Sequence, residues 1–391
     1  MYSFAILSHF QILLFGLTAV CIIFALAAFL LRSKRITRQC RLCEEADTSG
    51  QDFEEASIIV YSNDESDHLE ELLPQLLAQE YPARFEVIVV NEGDSLQVRD
   101  LMTQLQNAHR NLYLTHTPDG ARNLSRKKLA ITLGIKAARY PVAVLTAAKA
   151  RVDSRRWLQT IMQHFGQNSS TEVVLGFAAY EPYEDRSFGS RARSFDYAIE
   201  SASWLSAAIG GHPWCGTEYN LAYRRDLFFN NKGFSKHLNL RHGDDDIFIS
   251  EIATRKNTIV ELSEDSIVRI SGENSHRVAR QRAAQRRFTE RFINHRPRVL
   301  NTLAWGAYTI ALFLPFAASA LTPFNPLGWI VSGALLLFWY FSGLALRGAI
   351  KNLNGRNLRF TLPFLALTRP FRCLNEFISI KSHRNKRYTW E

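Results

Sequence analysis

The stretch "RHGDDDIFISEI" at 241–252 sets three carboxylates, Asp244, Asp245 and Asp246, side by side ahead of an apolar run. Like charges held together raise the pKa of one member, and a carboxylate with a raised pKa is a base able to take a proton from an alcohol. A helix N-terminus also welcomes acids, through its free amides and its macrodipole. One Asp satisfies that need. Three in a row cost repulsion, so the triplet points to chemistry.

Such a cluster needs a scaffold that presents it to a ligand. Between residues 55 and 150, short β-branched runs alternate with helical patterns: "ASIIVY" ends at Tyr61, "FEVIVV" at Val90, "NLYLT" at Thr115 and "VAVLT" at Thr146. Leu69, Leu72, Leu73, Leu76 and Leu77 form the i, i+3, i+4, i+7, i+8 stripe of a helix packed on one face. Near-continuous apolar strands joined by helical crossovers predict an α/β fold, a mostly parallel sheet covered on both faces. Ligands bind such sheets beyond the carboxyl ends of the strands. The segments there are "SNDES", "NEGDS", "HTPDG" and "AAKAR", polar in every case.

The rest of the chain reads as membrane. Phe10 to Leu31 carries no charge, long enough to cross a bilayer core of about 30 Å at ~1.5 Å per helical residue. "RSKRITRQCR" follows instead of a small-residue cleavage site, which favours a retained anchor over a signal peptide. A second uncharged tract from Val299 to Leu346 is broken by "TPFNP" and reads as two spans and a turn. Basic clusters follow the first span (Arg32, Lys34, Arg35, Arg38, Arg41), precede the second (Arg291, Arg296, Arg298) and follow the third (Arg347, Lys351, Arg356). By the positive-inside rule all three clusters face the cytoplasm. The expected organisation is an anchor at 1–31, a basic juxtamembrane linker at 32–54, a cytoplasmic domain at 55–295, transmembrane helices at 299–322 and 326–346, and a basic tail at 347–391 that lies at the interface. The protein is then a multi-pass protein of the cytoplasmic (inner) membrane.

The formal net charge of +10 is accounted for by these flanks and by anionic membrane lipids, so no nucleic-acid partner is called for. Five cysteines in a mostly cytoplasmic chain read as free thiols. The "CRLC" pair at 40–43 has metal-like spacing but lacks a second pair to complete four zinc ligands. No G-x-G-x-x-G opens a helix after the first strand, and no G-x-x-x-x-G-K-[ST], H-E-x-x-H or G-x-S-x-G occurs. What remains is acids and amides at strand ends, the basic "RNLSRKK" at 122–128 and the triple Asp. That set suits a nucleotide-linked donor.

Taken in order, "ASIIVYSNDESDHLEELLPQLLAQEYP", "FEVIVVNEGDS", "NLSRKKLAITLGIKAA", "PVAVLTAAKARVDSRRWL", "GTEYNLAYRRDLFF" and "GFSKHLNLRHGDDDIFI" resemble a family 2 glycosyltransferase with the GT-A fold, of the membrane-anchored bacterial kind. The resemblance implies displacement of a nucleoside diphosphate from a nucleotide-diphospho-sugar, with inversion at the anomeric carbon, in building cell envelope polysaccharide. It makes Asp245 the base that deprotonates the acceptor hydroxyl, flanked by Asp244 and Asp246. It assigns the donor to Tyr61, Asn63, Glu92 and Lys128, and the acceptor side to Glu218 and Tyr219. A lipid-linked or saccharide acceptor follows, and with few spans to enclose a channel, addition of one sugar rather than polymer extrusion.

Two family marks are altered. The D-x-D after the fourth strand, which implies a Mg²⁺ or Mn²⁺ cofactor on the donor diphosphate, is "LTAAKA" here, with Ala147 and Lys149 at the acidic positions. Lys149 would then neutralise the diphosphate itself, with Arg122, Arg126 or Lys127 making up the deficit. Alternatively Asp153, Glu218 or Asp244 hold a displaced metal, or the chain is a catalytically inactive glycosyltransferase-like scaffold. The Q-x-x-R-W motif, which in the family holds the acceptor end and would assign Arg287 to the acceptor, survives only as Arg287 and Phe288, with Ala284 in the Gln place.

Overall fold

The computed structural model describes residues 7–46, 52–118, 124–166, 169–180, 187–271, 275–293, 296–321, 323–354 and 361–382. Helix α1 (His9–Glu44) starts at a capping box between Ser8 and Gln11 and runs 36 residues, about 54 Å at ~1.5 Å per residue. A bilayer core would take up only about 30 Å of that. The remainder is where a linker was expected from residue 32, and the structure corrects this: residues 32–44 continue the helix. Ile36, Cys40 and Cys43 recur at helical spacing and are buried. Ile36 and Cys40 join the core of the α/β domain, and Gln39 Nε2 donates to the Val260 carbonyl at 2.7 Å. One rigid element thus joins the long apolar helix to the α/β domain.

Strands β1 (Ala56–Ser62), β2 (Phe85–Asn91), β3 (Leu112–His116) and β4 (Val142–Ala147) each run one residue past the end read from the apolar run. They lie parallel in the order β3-β2-β1-β4. Helices α2 (Ser66–Leu77), α3 (Leu96–Ala108) and α4 (Arg126–Ala137) make the crossovers. Four of the five leucines in the α2 stripe, Leu69, Leu72, Leu73 and Leu76, have no exposed surface. Alternation along β1 sends Ile58 and Val60 to one core and Ile59 to the other, so both faces are covered.

The sheet is mixed beyond β4. A hairpin-like excursion, β5 (Ala150–Arg151), and helix α5 (Trp157–Met162) lead to β6 (Val173–Leu175), β7 (Ala178–Tyr180) and the long helix α6 (Phe188–Ile209). Then come β8 (Leu221–Arg224), α7 (Arg225–Asn230), α8 (Ile247–Ile252), β9 (Thr258–Val260) and β10 (Val268–Ile270). β8 pairs antiparallel with β4 and β6, completing the order β3-β2-β1-β4-β8-β6-β9, while β5-β10-β7 form a small second sheet. The α/β class and mostly parallel sheet expected from the sequence are what the structure has.

Helix α9 (His276–Thr289) returns the chain to α10 (Arg296–Ala320), α11 (Pro326–Ser342), α12 (Arg347–Asn354) and α13 (Leu362–Ser382). Three helical stretches, His9–Glu44, Val299–Ala320 and Pro326–Leu353, are long and apolar enough to cross a membrane. They pack through rings, with Phe29 4.8 Å from Trp305 and Tyr308 stacked 4.6 Å from Trp339, whose indole donates to the Tyr308 carbonyl. Buried Arg32 donates to Asn301 Oδ1, so the basic end of α1 is held by α10.

Candidate active site

Gly243 has φ of 109°, a left-handed conformation that a side chain resists, and a Cβ there would stand 2.5 Å from Ile247 Cδ1. That turn swings the three aspartates to the start of α8, where each meets a different partner. Asp244 Oδ2 accepts an ion pair from Lys127 Nζ at 2.7 Å. Asp246 caps α8 through the Ile247 amide at 2.7 Å and pairs with Arg286 Nη1 at 3.1 Å, while Thr289 Oγ1 donates to its second oxygen. The Asp245 carbonyl accepts from the Gly216 amide at 2.7 Å, which pins the loop to the segment carrying Glu218. Among the described residues the Asp245 carboxylate has neither hydrogen bond nor ion pair.

Electrostatics separate the three. Burial raises the pKa of Asp245 to about 8; Arg286 pulls against this, while Asp246 and Asp244 push the same way. Burial would also raise Asp244, but the ammonium of Lys127 outweighs it and holds that carboxyl below its ordinary value. Burial opposes charge on Lys127 as well, yet Asp244, Glu218 and Asp245 keep it firmly protonated. The arrangement is a fixed carboxylate and a fixed ammonium beside one carboxyl poised to exchange a proton near neutral pH.

Lys127 comes from the first turn of α4 and pairs with Glu218 as well as Asp244, with its ammonium 5.8 Å from the centre of the Tyr61 ring. The helix can bring it there because Gly134 lets α4 lie against the sheet: a Cβ would be 2.6 Å from Ile59 Cγ2 and 2.8 Å from Val90 Cγ2. Lys127, Glu218, Tyr219 and Asp244–Asp246 line one cleft of about 190 Å³, walled opposite by Tyr180, Tyr197 and α9.

The other residues singled out in the sequence fare differently. Tyr61 donates to Glu92, and Arg126 Nε lies 3.5 Å from the other Glu92 oxygen, so these close the ends of β1 and β2 together. Burial first, then Glu92, pushes the Tyr61 phenol up and keeps it a neutral donor. Asn63 is exposed; buried Asn91 does the local work, binding the Asp64 amide at 3.0 Å and the Asp64 carboxylate at 2.7 Å. Lys149 pairs with Glu65 at 2.8 Å with 45% of its side chain exposed. Asp153 is taken up by neighbouring Arg151, and Arg122 lies outside the described residues.

Two assignments are corrected. Lys128 has no exposed surface, and its ammonium is spent on His237 Nδ1 at 2.9 Å and on the carbonyls of His237 and His242, both at 2.8 Å. It clamps the loop leading to Asp244; its neighbour Lys127, one helical step round, is the lysine in the cleft. Arg287 points outward and stacks 4.2 Å from the Phe377 ring of α13. Arg286 reaches Glu200, Asp246 and the Cys215 sulfur instead, and Arg282, one turn earlier on the same face, donates to Tyr180. Glu200, Thr289 and Arg286 were not singled out in advance; the i, i+4 spacing of Arg282 and Arg286 was the available signal.

The positions of the altered D-x-D do not fit a divalent cation. Ala147 offers no oxygen ligand, Lys149 is a cation, and Glu218 and Asp244 are both already paired with Lys127. Among the described residues no group of three His, Cys, Asp or Glu side chains is arranged to hold a metal. All five cysteines are free thiols, and Cys40 and Cys43 are packing residues.

No protein-family profile and no curated protein matches the chain. Solved structures do. A mannosyltransferase from Pyrobaculum calidifontis, determined with GDP-mannose and Mn²⁺, superposes with a TM-score of 0.54 at 18% identity over 87% of this chain and 100% of its own. Looser likenesses are to Staphylococcus aureus TarS (TM-score 0.39, 14% identity, 75% of this chain and 92% of that one) and to glucosyl-3-phosphoglycerate synthase from Mycobacterium tuberculosis (0.41, 11%, 63% and 82%). The first likeness fixes the fold as GT-A type.

Proposed function

We propose that the protein is a membrane-bound inverting glycosyltransferase that moves one sugar from a nucleotide-diphospho-sugar to an acceptor hydroxyl at the cytoplasmic face. Asp245 carries the reading: it is the single carboxylate of the triplet left without a partner, it faces the cleft, and its pKa of about 8 suits a base. The acceptor oxygen attacks the anomeric carbon as its proton passes to Asp245. A new C–O bond forms on the face opposite the departing group, and the old C–O electron pair leaves with the nucleoside diphosphate. Tyr61, Glu92 and Arg126 at the ends of β1 and β2 stand where the nucleotide would lie in this fold.

The mannosyltransferase was determined with Mn²⁺, and in this reading ammonium takes the place of such a charge. At equal distance and dielectric a lysine supplies about half the Coulomb attraction of a divalent ion. Lys127, which lines the cleft and already pairs with Glu218 and Asp244, supplies part of that charge. The reading therefore includes turnover that chelators leave unchanged. The loss of the acidic pair at Ala147 and Lys149 favours a second reading, a silent scaffold beside an active transferase.

One experiment separates them: the purified protein with a panel of nucleotide sugars, with and without EDTA. Transfer that survives EDTA supports the first reading. Chelator-sensitive transfer means a metal site elsewhere, and failure to bind any donor leaves the scaffold.

A further inference from the structure

Behind the catalytic cleft, between α6, α9 and α13, lies a larger cavity of about 650 Å³, within the usual range for a small-molecule site. Small residues hollow it out: Gly189 and Ala192 on α6 face Ala279 and Ala283 on α9. Six arginines and four carboxylates line it, a net charge of +2 before any titration. Asp196 is consumed by Arg372, bidentate at 2.8 Å, and by Arg369, and Glu200 is consumed by Arg286. Arg193, Arg280 and Arg282 remain, and among the described residues Arg280 and Arg282 have no ion-pair partner. Arg282 is held by rings, 4.3 Å above Tyr197, an arrangement that fixes a guanidinium without neutralising it. Burial, then Glu200 and Asp196, raises Glu376 to about 7, so its negative charge is weakened at neutral pH.

The cavity connects two places. Tyr197, Glu200, Arg282 and Arg286 line both it and the cleft that holds Asp245. Its other side is formed by Asn301 and Thr302 at the start of a candidate membrane span. Beside it the outer face of α13 exposes Phe371, Leu374, Phe377 and Ile378, each more than two-fifths exposed, and Phe188 meets Phe364 at 5.3 Å near the mouth. An apolar helix face next to membrane spans is a lipid-facing surface. Free phosphate would need no such surface.

We propose that this cavity binds the phosphate headgroup of a lipid, with Arg280 and Arg282 as its anion contacts and the acyl or prenyl tail leaving along α13, and that the same lipid presents the acceptor hydroxyl to Asp245. The acceptor role rests on the transferase reading above; the binding does not.

The test uses the full chain in phosphatidylcholine nanodiscs with labelled dodecyl phosphate as probe, against inorganic phosphate and dodecyl maltoside. Saturable dodecyl phosphate binding is expected, at least 100-fold tighter than inorganic phosphate and not displaced by the maltoside. Arg282→Gln removes the anion contact and Ala283→Phe fills the space; each is expected to weaken binding tenfold or more while the thermal midpoint stays within a few degrees. Equal binding of inorganic phosphate, competition by the maltoside, or unchanged binding in both variants overturns the proposal. Nucleotide-sugar titration of the same preparation is independent: a chain that binds dodecyl phosphate but no donor refutes the transferase reading and leaves the lipid site standing.

Discussion

Lys127 Nζ lies 2.7 Å from Asp244 Oδ2 and pairs with Glu218 on the other side, so one ammonium joins the start of α4 to both acidic loops beside Asp245. It is a built-in cation beside the candidate base. Lys127→Ala leaves Glu218, Asp244 and Asp245 facing one another without a counter-charge. The variant is expected to lose transfer by a hundredfold or more and to bind Mn²⁺ more tightly than the parent, measured by titration calorimetry. A variant that keeps its activity and binds Mn²⁺ no more tightly would show that Lys127 is only a strut.

Asp245 must be ionised to accept a proton, and burial holds its pKa at about 8. The rate should therefore climb with pH, one proton per step, and level off above 8. The stability consequence has the opposite sense. A carboxyl raised from 3.8 in the unfolded chain contributes stability that is full below 3.8 and lost as pH rises through 8. Asp245→Asn should cut transfer about 10²- to 10⁴-fold, leave donor affinity within about twofold and flatten both profiles. A rate that stays pH-dependent in the Asn variant would assign the proton elsewhere.

How far the sequence reaches is clearest at these residues. The strands β1–β4 were readable because parallel strands buried on both faces are apolar throughout, and the Asp triplet because repulsion makes it costly. The antiparallel β8 and β6 were not, since runs of three or four residues carry no decisive period. Lys127 and Lys128 are neighbours in sequence with opposite fates, and only the angle of α4 on the sheet decides which enters the cleft. Arg286 and Arg287 repeat the lesson on α9. A motif fixes the helix, but a rotation of ~100° per residue selects the side chain.

Lys128 tests that distinction. Its ammonium satisfies two buried carbonyls and His237, so Lys128→Met strands the His242 carbonyl and His237 Nδ1 at about 1–3 kcal/mol apiece, while the His237 carbonyl keeps the Leu240 amide. The expected outcome is a lower urea midpoint, with donor affinity in the surviving folded fraction unchanged. Weakened donor binding at full stability would instead return Lys128 to the donor site.

Gly134 sets the position of the whole α4 apparatus. Alanine is the better helix former by roughly 1 kcal/mol, and on propensity alone Gly134→Ala should stabilise. The added methyl would stand 2.6 Å from Ile59 Cγ2 and 2.8 Å from Val90 Cγ2, both on rigid, buried strand residues that cannot swing aside. Overpacking of this kind costs about 1–3 kcal/mol, so the clash wins. The net expectation is a loss of stability accompanied by weaker transfer, because any retreat of α4 carries Lys127 away from Asp244. Denaturant unfolding of the full chain measures the first and donor turnover the second; a stabilised, fully active Gly134→Ala protein would show that α4 does not set the geometry of the cleft.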